Sequence, residues 1–113
     1  MAVFDLFSLK DKIAIVTGAR RGIGAAIALM FAEAGADVTV SDVITDTGEL
    51  EAIADKIKQS GRRALALKCD VSLKADVDEM VQKTIDTFGR IDILVNNAGA
   101  GKGGSLLQCS EAD

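Results

Sequence analysis

The sequence predicts an α/β fold, a doubly wound parallel sheet with helices on both faces, and three observations point to it. Four short apolar runs, most of them rich in β-branched residues, alternate with three stretches of helical period. Each helical stretch stops at a glycine. Each apolar run hands over to a short polar or glycine-containing segment. Consecutive βαβ units with right-handed crossovers place such strands side by side in one parallel sheet, in the order 3-2-1-4.

The first strand is Ile13 to Thr17, an almost unbroken apolar run of the kind buried on both faces. From Gly22 the period becomes helical, with Ile23, Ile27, Met30 and Ala34 on one stripe and Gly35 as the stop. Asp37 to Ser41 forms the second strand. Asp46 and Glu49 have capping-box spacing, and Leu50, Ile53, Ala54 and Ile57 follow on one face until Gly61. Ala64 to Cys69 is the third strand. Ser72 serves as N-cap for a helix that turns Val77, Met80, Val81, Ile85 and Phe88 inward and ends at Gly89. Ile91 to Val95 is the fourth strand, apolar enough to be covered on both faces with another strand alongside, although the order 3-2-1-4 taken alone leaves it on an edge. Ser110 to Asp113 has the spacing of another helix start.

A length of 113 residues suits one domain, and 49% hydrophobic with 27% charged residues suits a packed core rather than disorder. The net charge of -4 leaves no basic stripe, which argues against a nucleic-acid partner. The chain has no His, Tyr, Trp or Pro. That removes His-centred acid/base chemistry and most metal sites, so no metal is expected. Cys69 and Cys109 form no C-x-x-C pair and read as reduced intracellular thiols. Met1 to Leu9 carries Asp5 and no early Lys or Arg, unlike a signal peptide, and is too short to span a bilayer. A cytoplasmic protein without a membrane partner is expected.

Chemistry concentrates at the strand ends. The first strand runs through Thr17-Gly18-Ala19-Arg20-Arg21-Gly22-Ile23-Gly24 straight into a helix, the context in which a glycine pattern reads as a dinucleotide site. Gly18 allows the tight turn, Gly22 allows close approach to a pyrophosphate, and Gly24 allows the helix to pack on the sheet. The helix N-terminus offers N–H groups and positive dipole to the phosphates. Asp42 ends the second strand 24 residues after Gly18, where a carboxylate meets the adenosine ribose hydroxyl and repels a 2'-phosphate. Arg20 and Arg21 pull the other way, toward a phosphate. Asp42 outweighs them, which favours NAD over NADP. Asp70-Val71 follows the third strand and Asn96-Asn97-Ala98-Gly99 the fourth. Gly101 to Ser105 lacks the G-K-[ST] order of a phosphate loop and reads as a flexible loop.

Together these segments resemble the short-chain dehydrogenase/reductase family, whose cofactor half carries T-G-x-x-x-G-I-G, then Asp, Asp-Val and N-N-A-G after successive strands. The resemblance runs from about Lys12 to Gly99 and implies a Rossmann-like fold. It implies Gly18, Arg21, Gly22, Ile23 and Gly24 at the pyrophosphate and neighbouring ribose, and Asp42 at the adenosine ribose. Asp70 and Val71 would border the adenine, and Asn97, Ala98 and Gly99 the ribose and nicotinamide side. It also implies a small-molecule alcohol or ketone substrate in a full-length enzyme about twice as long. The family's catalytic Ser and Tyr-x-x-x-Lys have no counterpart here, so residues 1–113 read as one dinucleotide-binding domain, incomplete at the C-terminus, with no catalytic residues. Lys102 and Ser105 do not take their place.

The rival readings are a non-catalytic nucleotide-binding module and a methyltransferase-like domain, in which N-N-A-G has no role. An edge strand lacking its neighbours implies self-association or a missing complementary half.

Overall fold

The structure, a computed structural model, describes residues 8–98 and the strand Cys109–Ser110. Strand β1 (Ile13–Val16) has every residue buried, which is why its sequence does not alternate. It pairs in parallel with β2 (Asp37–Asp42) on one side and β4 (Ile93–Val95) on the other. β3 (Ala64–Lys68) pairs in parallel with β2, from Val38 opposite Ala64 to Asp42 opposite Lys68. The four parallel strands therefore lie in the expected order 3-2-1-4.

A fifth strand extends the order and lies alongside the fourth. β5 (Cys109–Ser110) runs antiparallel to β4, with Leu94 opposite Ser110 and Val95 opposite Cys109. β4 is thus not an edge, and Ser110 lies in a strand rather than at a helix start, because the open backbone groups of β4 are met by pairing. The residues after Ser110 lie outside the described residues.

The helices α1 (Gly22–Glu33), α2 (Glu49–Gln59) and α3 (Lys74–Phe88) divide two cores between them. Val16, Val38 and Val40 pack with Ala25, Ala28 and Ala32 of α1 and with Leu50, Ile53 and Ile57 of α2. Ile15, Cys69 and Ile91 pack with Met80 of α3, joined by Val77, Val81 and Ile85. Neighbouring β1 residues Ile15 and Val16 serve different cores, as alternate strand side chains must.

The stripe expected along α1 holds only in part: Ile27 packs against the first core, but Ile23 and Met30 are each 55% exposed, and the buried residues are Gly24, Ala25, Ala28 and Ala32. The helix lies so close to the loop that only small side chains fit beneath it, so available space overrides side-chain hydrophobicity.

Both expected helix caps also differ. α2 is preceded by Gly48 at φ +82°, with no side-chain cap, because the Glu49 carboxylate bonds Arg20 and Thr47 instead. At α3 the cap position is Leu73, while the Ser72 hydroxyl donates to Asp70 Oδ1 at 2.6 Å. The strand boundaries are shorter as well: Ile91 is buried but precedes β4, and Asp92 closes the start of β1 by accepting from Ile13 N at 2.8 Å.

At the amino end of β2, buried Asp37 accepts from Arg63 N, Nε and Nη2 at 2.9, 3.0 and 2.8 Å. Arg62 Nη2 approaches it at 3.2 Å, and the Arg63 guanidinium lies 4.9 Å from the centre of the Phe88 ring. Beneath the sheet, the hydroxyls of Thr39 and Thr84 meet at 2.9 Å.

Candidate functional site

The carboxyl ends of the four parallel strands meet on one side of the sheet. Gly18 leaves β1 at φ +62°, a left-handed conformation that favours glycine. A Cβ on Gly24 would lie 2.1 Å from the Gly18 carbonyl oxygen, so the first turn of α1 rests directly on the loop. A Cβ on Gly18 would meet Ala98 N at 3.0 Å, which brings the end of β4 against the same loop.

Hydrogen bonds tie these ends together. Thr17 Oγ1 accepts from the backbone N–H of Asn97 at 3.0 Å and of Ala98 at 3.2 Å, and lies 3.0 Å from Asn96 Oδ1. Asn97 Nδ2 donates to the Gly18 carbonyl at 3.3 Å. Asn97 Oδ1 is buried with no hydrogen-bond partner among the described residues, a costly state for an acceptor. At the start of α1, Arg21 supplies no side-chain cap and no acidic residue lies in the first turn. The N-terminal amides and positive dipole of that helix are left for an anion. Gly22, at φ +66°, has open space where a side chain would stand, and Ile23 beside it is exposed. An uncapped helix start, a glycine cradle and an orphaned amide oxygen together fit a dinucleotide.

Asp42 is joined to the same loop. Its Oδ2 accepts from Arg20 N at 3.2 Å and its Oδ1 from Ile44 N at 3.1 Å. Arg20 Nε stands 3.7 Å from Asp42 Oδ1, and the side chains of Arg20 and Asp42 are 12% and 11% exposed. Arg20 Nη1 reaches Glu49 Oε1 at 2.6 Å. Hydrogen bonds from Arg20 and from Thr47 hold the Glu49 carboxyl below its ordinary pKa. Arg20, which the sequence set against Asp42, is its neighbour, whereas Arg21 is exposed.

Asp70 forms the turn after β3, accepting from Ser72 N at 2.9 Å and donating its own N–H to Asp76 Oδ2 at 3.0 Å. Val71 is half-buried against the second core. Cys69 N donates to Asp42 O at 3.0 Å, so the ends of β2 and β3 are held together. Burial raises the pKa of the Cys69 thiol, as do Asp76 and Asp70, and so opposes thiolate chemistry.

The structure thus gathers Gly18, Arg21, Gly22, Ile23, Gly24, Asp42, Asp70, Val71, Asn97 and Ala98 at one end of the sheet. Gly99 lies outside the described residues, as do Lys102 and Ser105. Two participants escaped the sequence reading. Thr17 was counted as strand, although its place before Gly18 is a signal, and Glu49 was counted as a cap. No local pattern links Glu49 to Arg20, 29 residues away.

A family model described as short chain dehydrogenase matches residues 12–113. The chain is 46% identical over 105 residues to a (hydroxy(phenyl)methyl)succinyl-CoA dehydrogenase subunit of Thauera aromatica, covering 93% of this chain and 42% of that protein. It is 43% identical to the 7alpha-hydroxysteroid dehydrogenase of Escherichia coli over 97 residues, covering 86% of this chain and 37% of that one. Among solved structures, a hydroxysteroid dehydrogenase from Escherichia coli superposes with a TM-score of 0.79 at 43% identity, covering 86% of this chain and 39% of that one. A short-chain type dehydrogenase/reductase from Mycobacterium marinum gives 0.74 at 42% identity, covering 83% and 37%. The chain therefore spans roughly two-fifths of the length of these relatives.

Proposed function

The chain belongs to the short-chain dehydrogenase family, and from that premise we propose that it is the NAD(H)-binding half of an oxidoreductase acting on an alcohol/ketone pair. The nicotinamide, when bound, would supply a hydride acceptor for the alcohol carbon, with the hydroxyl proton leaving to a base outside the described residues, and a hydride donor in the reverse direction. The residues here bind and orient. The amides at the start of α1, with Gly18, Gly22 and Gly24, receive the pyrophosphate, flanked by Arg21 and Ile23. Asp42 accepts from the adenosine ribose hydroxyls. Asp70 and Val71 border the adenine, and Asn97, Ala98 and Gly99 line the nicotinamide side.

The observation that carries this reading is the carboxylate of Asp42 held against the glycine loop by Arg20 N at 3.2 Å. That position favours NAD over NADP, because a 2'-phosphate would face a carboxylate in a partly dry site. Calorimetric titration of the chain with NAD and with NADP tests it. Tighter NAD binding is expected, tighter NADP binding would overturn the preference, and no binding of either would overturn the reading.

Within this proposal, residues 1–113 form one dinucleotide-binding domain that is completed by further chain, in keeping with the length of its relatives. The exposed Met30 of α1 supports association with that complementary half or with a second copy. Sedimentation at micromolar concentration tests this, and a cooperative monomer would argue against it. A cytoplasmic location fits the free, buried Cys69 and is checked by cell fractionation. No helix among the described residues is long and apolar enough to cross a membrane. A non-catalytic nucleotide-binding module is the second reading, in keeping with a set of residues that bind and orient. A Tyr-x-x-x-Lys encoded further along the same reading frame would favour the oxidoreductase.

A further inference from the structure

A guanidinium beside the ribose carboxylate should weaken discrimination between the two nicotinamide cofactors. Arg20 is a ready phosphate ligand, planar and permanently charged, and its Nε lies 3.7 Å from Asp42 Oδ1. Left free, it could turn toward a 2'-phosphate and offset the repulsion from Asp42. It is not free. Nη1 is bonded to Glu49 Oε1 at 2.6 Å, and Thr47 Oγ1 donates to that same oxygen at 3.0 Å. Glu49 N lies 3.4 Å from Thr47 Oγ1, so the carboxylate is fixed at the start of α2. Two carboxylates then face one guanidinium, leaving one net negative charge where the ribose 2'-position would sit.

We propose that Glu49 is a specificity-determining residue: by clamping and neutralising Arg20 it keeps the adenosine ribose subsite for a 2'-hydroxyl nucleotide and excludes a 2'-phosphate. This rests on the reading that Asp42 faces the adenosine ribose. It adds a residue that touches no nucleotide and acts through Arg20. Asp42 supplies the acceptor, and Glu49 decides what Arg20 does beside it.

Calorimetric titration of the chain with NAD and NADP tests the idea in a double-mutant cycle. Glu49→Gln keeps the shape and one acceptor oxygen but removes the charge. It should shift the affinity ratio toward NADP by about threefold or more, the scale of a single partly exposed ion pair. In an Arg20→Met background the same substitution should shift the ratio by much less, because no guanidinium remains to be released. Glu49→Ala should reproduce the shift, and thermal melts identify any variant that fails to fold. If NAD binds the wild-type chain but Glu49→Gln and Glu49→Ala leave the ratio unchanged, the clamp is refuted and the NAD(H)-binding reading stands. An equal shift with and without Arg20 also refutes it, since Glu49 would then act through its own charge. If the wild-type chain binds neither nucleotide, the underlying reading fails and the clamp with it.

Discussion

Thr17 at the end of β1 and Asn97 after β4 are joined through a single side-chain oxygen: Thr17 Oγ1 accepts the Asn97 backbone N–H at 3.0 Å, and the Ala98 N–H at 3.2 Å. One hydroxyl therefore sets the distance between the glycine loop and the segment expected at the nicotinamide side. Thr17→Val preserves shape and strands both donors, so it should cost about 2 to 3 kcal/mol in urea denaturation, while Thr17→Ser should cost under about 1 kcal/mol. NAD affinity should follow the same order.

Gly22 and Gly24 of the loop should respond differently to alanine. Gly24→Ala drives a methyl group to 2.1 Å from the Gly18 carbonyl, so backbone must move. A loss of about 2 to 4 kcal/mol is expected, reaching past the upper end of the usual range for overpacking. Gly22→Ala meets no atom within 4 Å and carries only the strain of φ +66°, about 1 kcal/mol. Chemical denaturation of the two variants checks the ranking.

Asp42→Ala should weaken NAD by about tenfold and strengthen NADP, because the ribose acceptor and the repulsion of a 2'-phosphate disappear together. Calorimetry with both nucleotides measures the gap directly. An unaltered gap would move the preference away from Asp42.

Burial raises the pKa of Asp37, but hydrogen bonds from Arg63 and the charges of Arg62 and Arg63 outweigh it and leave the carboxyl below its usual 3.8. A depressed folded-state pKa adds stability that is present above the ordinary value and lost as the pH falls through the folded one. Wild-type stability should therefore decline below about pH 4 partly through this residue. Asp37→Asn should be less stable at neutral pH by about 1 to 2 kcal/mol and show a flatter acid limb in denaturation curves taken from pH 2 to 7.

The sequence was most readable where an element lies on a broad surface and least where elements come close. Leu50, Ile53, Ala54 and Ile57 all bury as their spacing predicts, because α2 covers the sheet with room for large side chains. The stripe through Ile23 and Met30 fails because Gly24 brings α1 against the loop, a closeness that hydrophobic periodicity does not record. Both caps fail for a related reason. Glu49 is drawn off by Arg20 and Ser72 by Asp70, and only the first of these partners is distant in sequence. The glycine loop, Asp42 and the ends of β3 and β4 were legible because each sits next to its own strand.

The order β3-β2-β1-β4-β5 puts β1 in the middle of the sheet, between neighbours that are made at very different times. A nascent chain can lay β2 against one side of β1 early, but the other side waits for β4, some eighty residues later. Until residue 95 clears the ribosome, a strand of four apolar residues has one open flank, which is the state chaperones recognise. The candidate cradle, which needs Asn97 and Ala98, forms only after the four parallel strands have been made, so a cofactor could stabilise only chains in which those four are already in place.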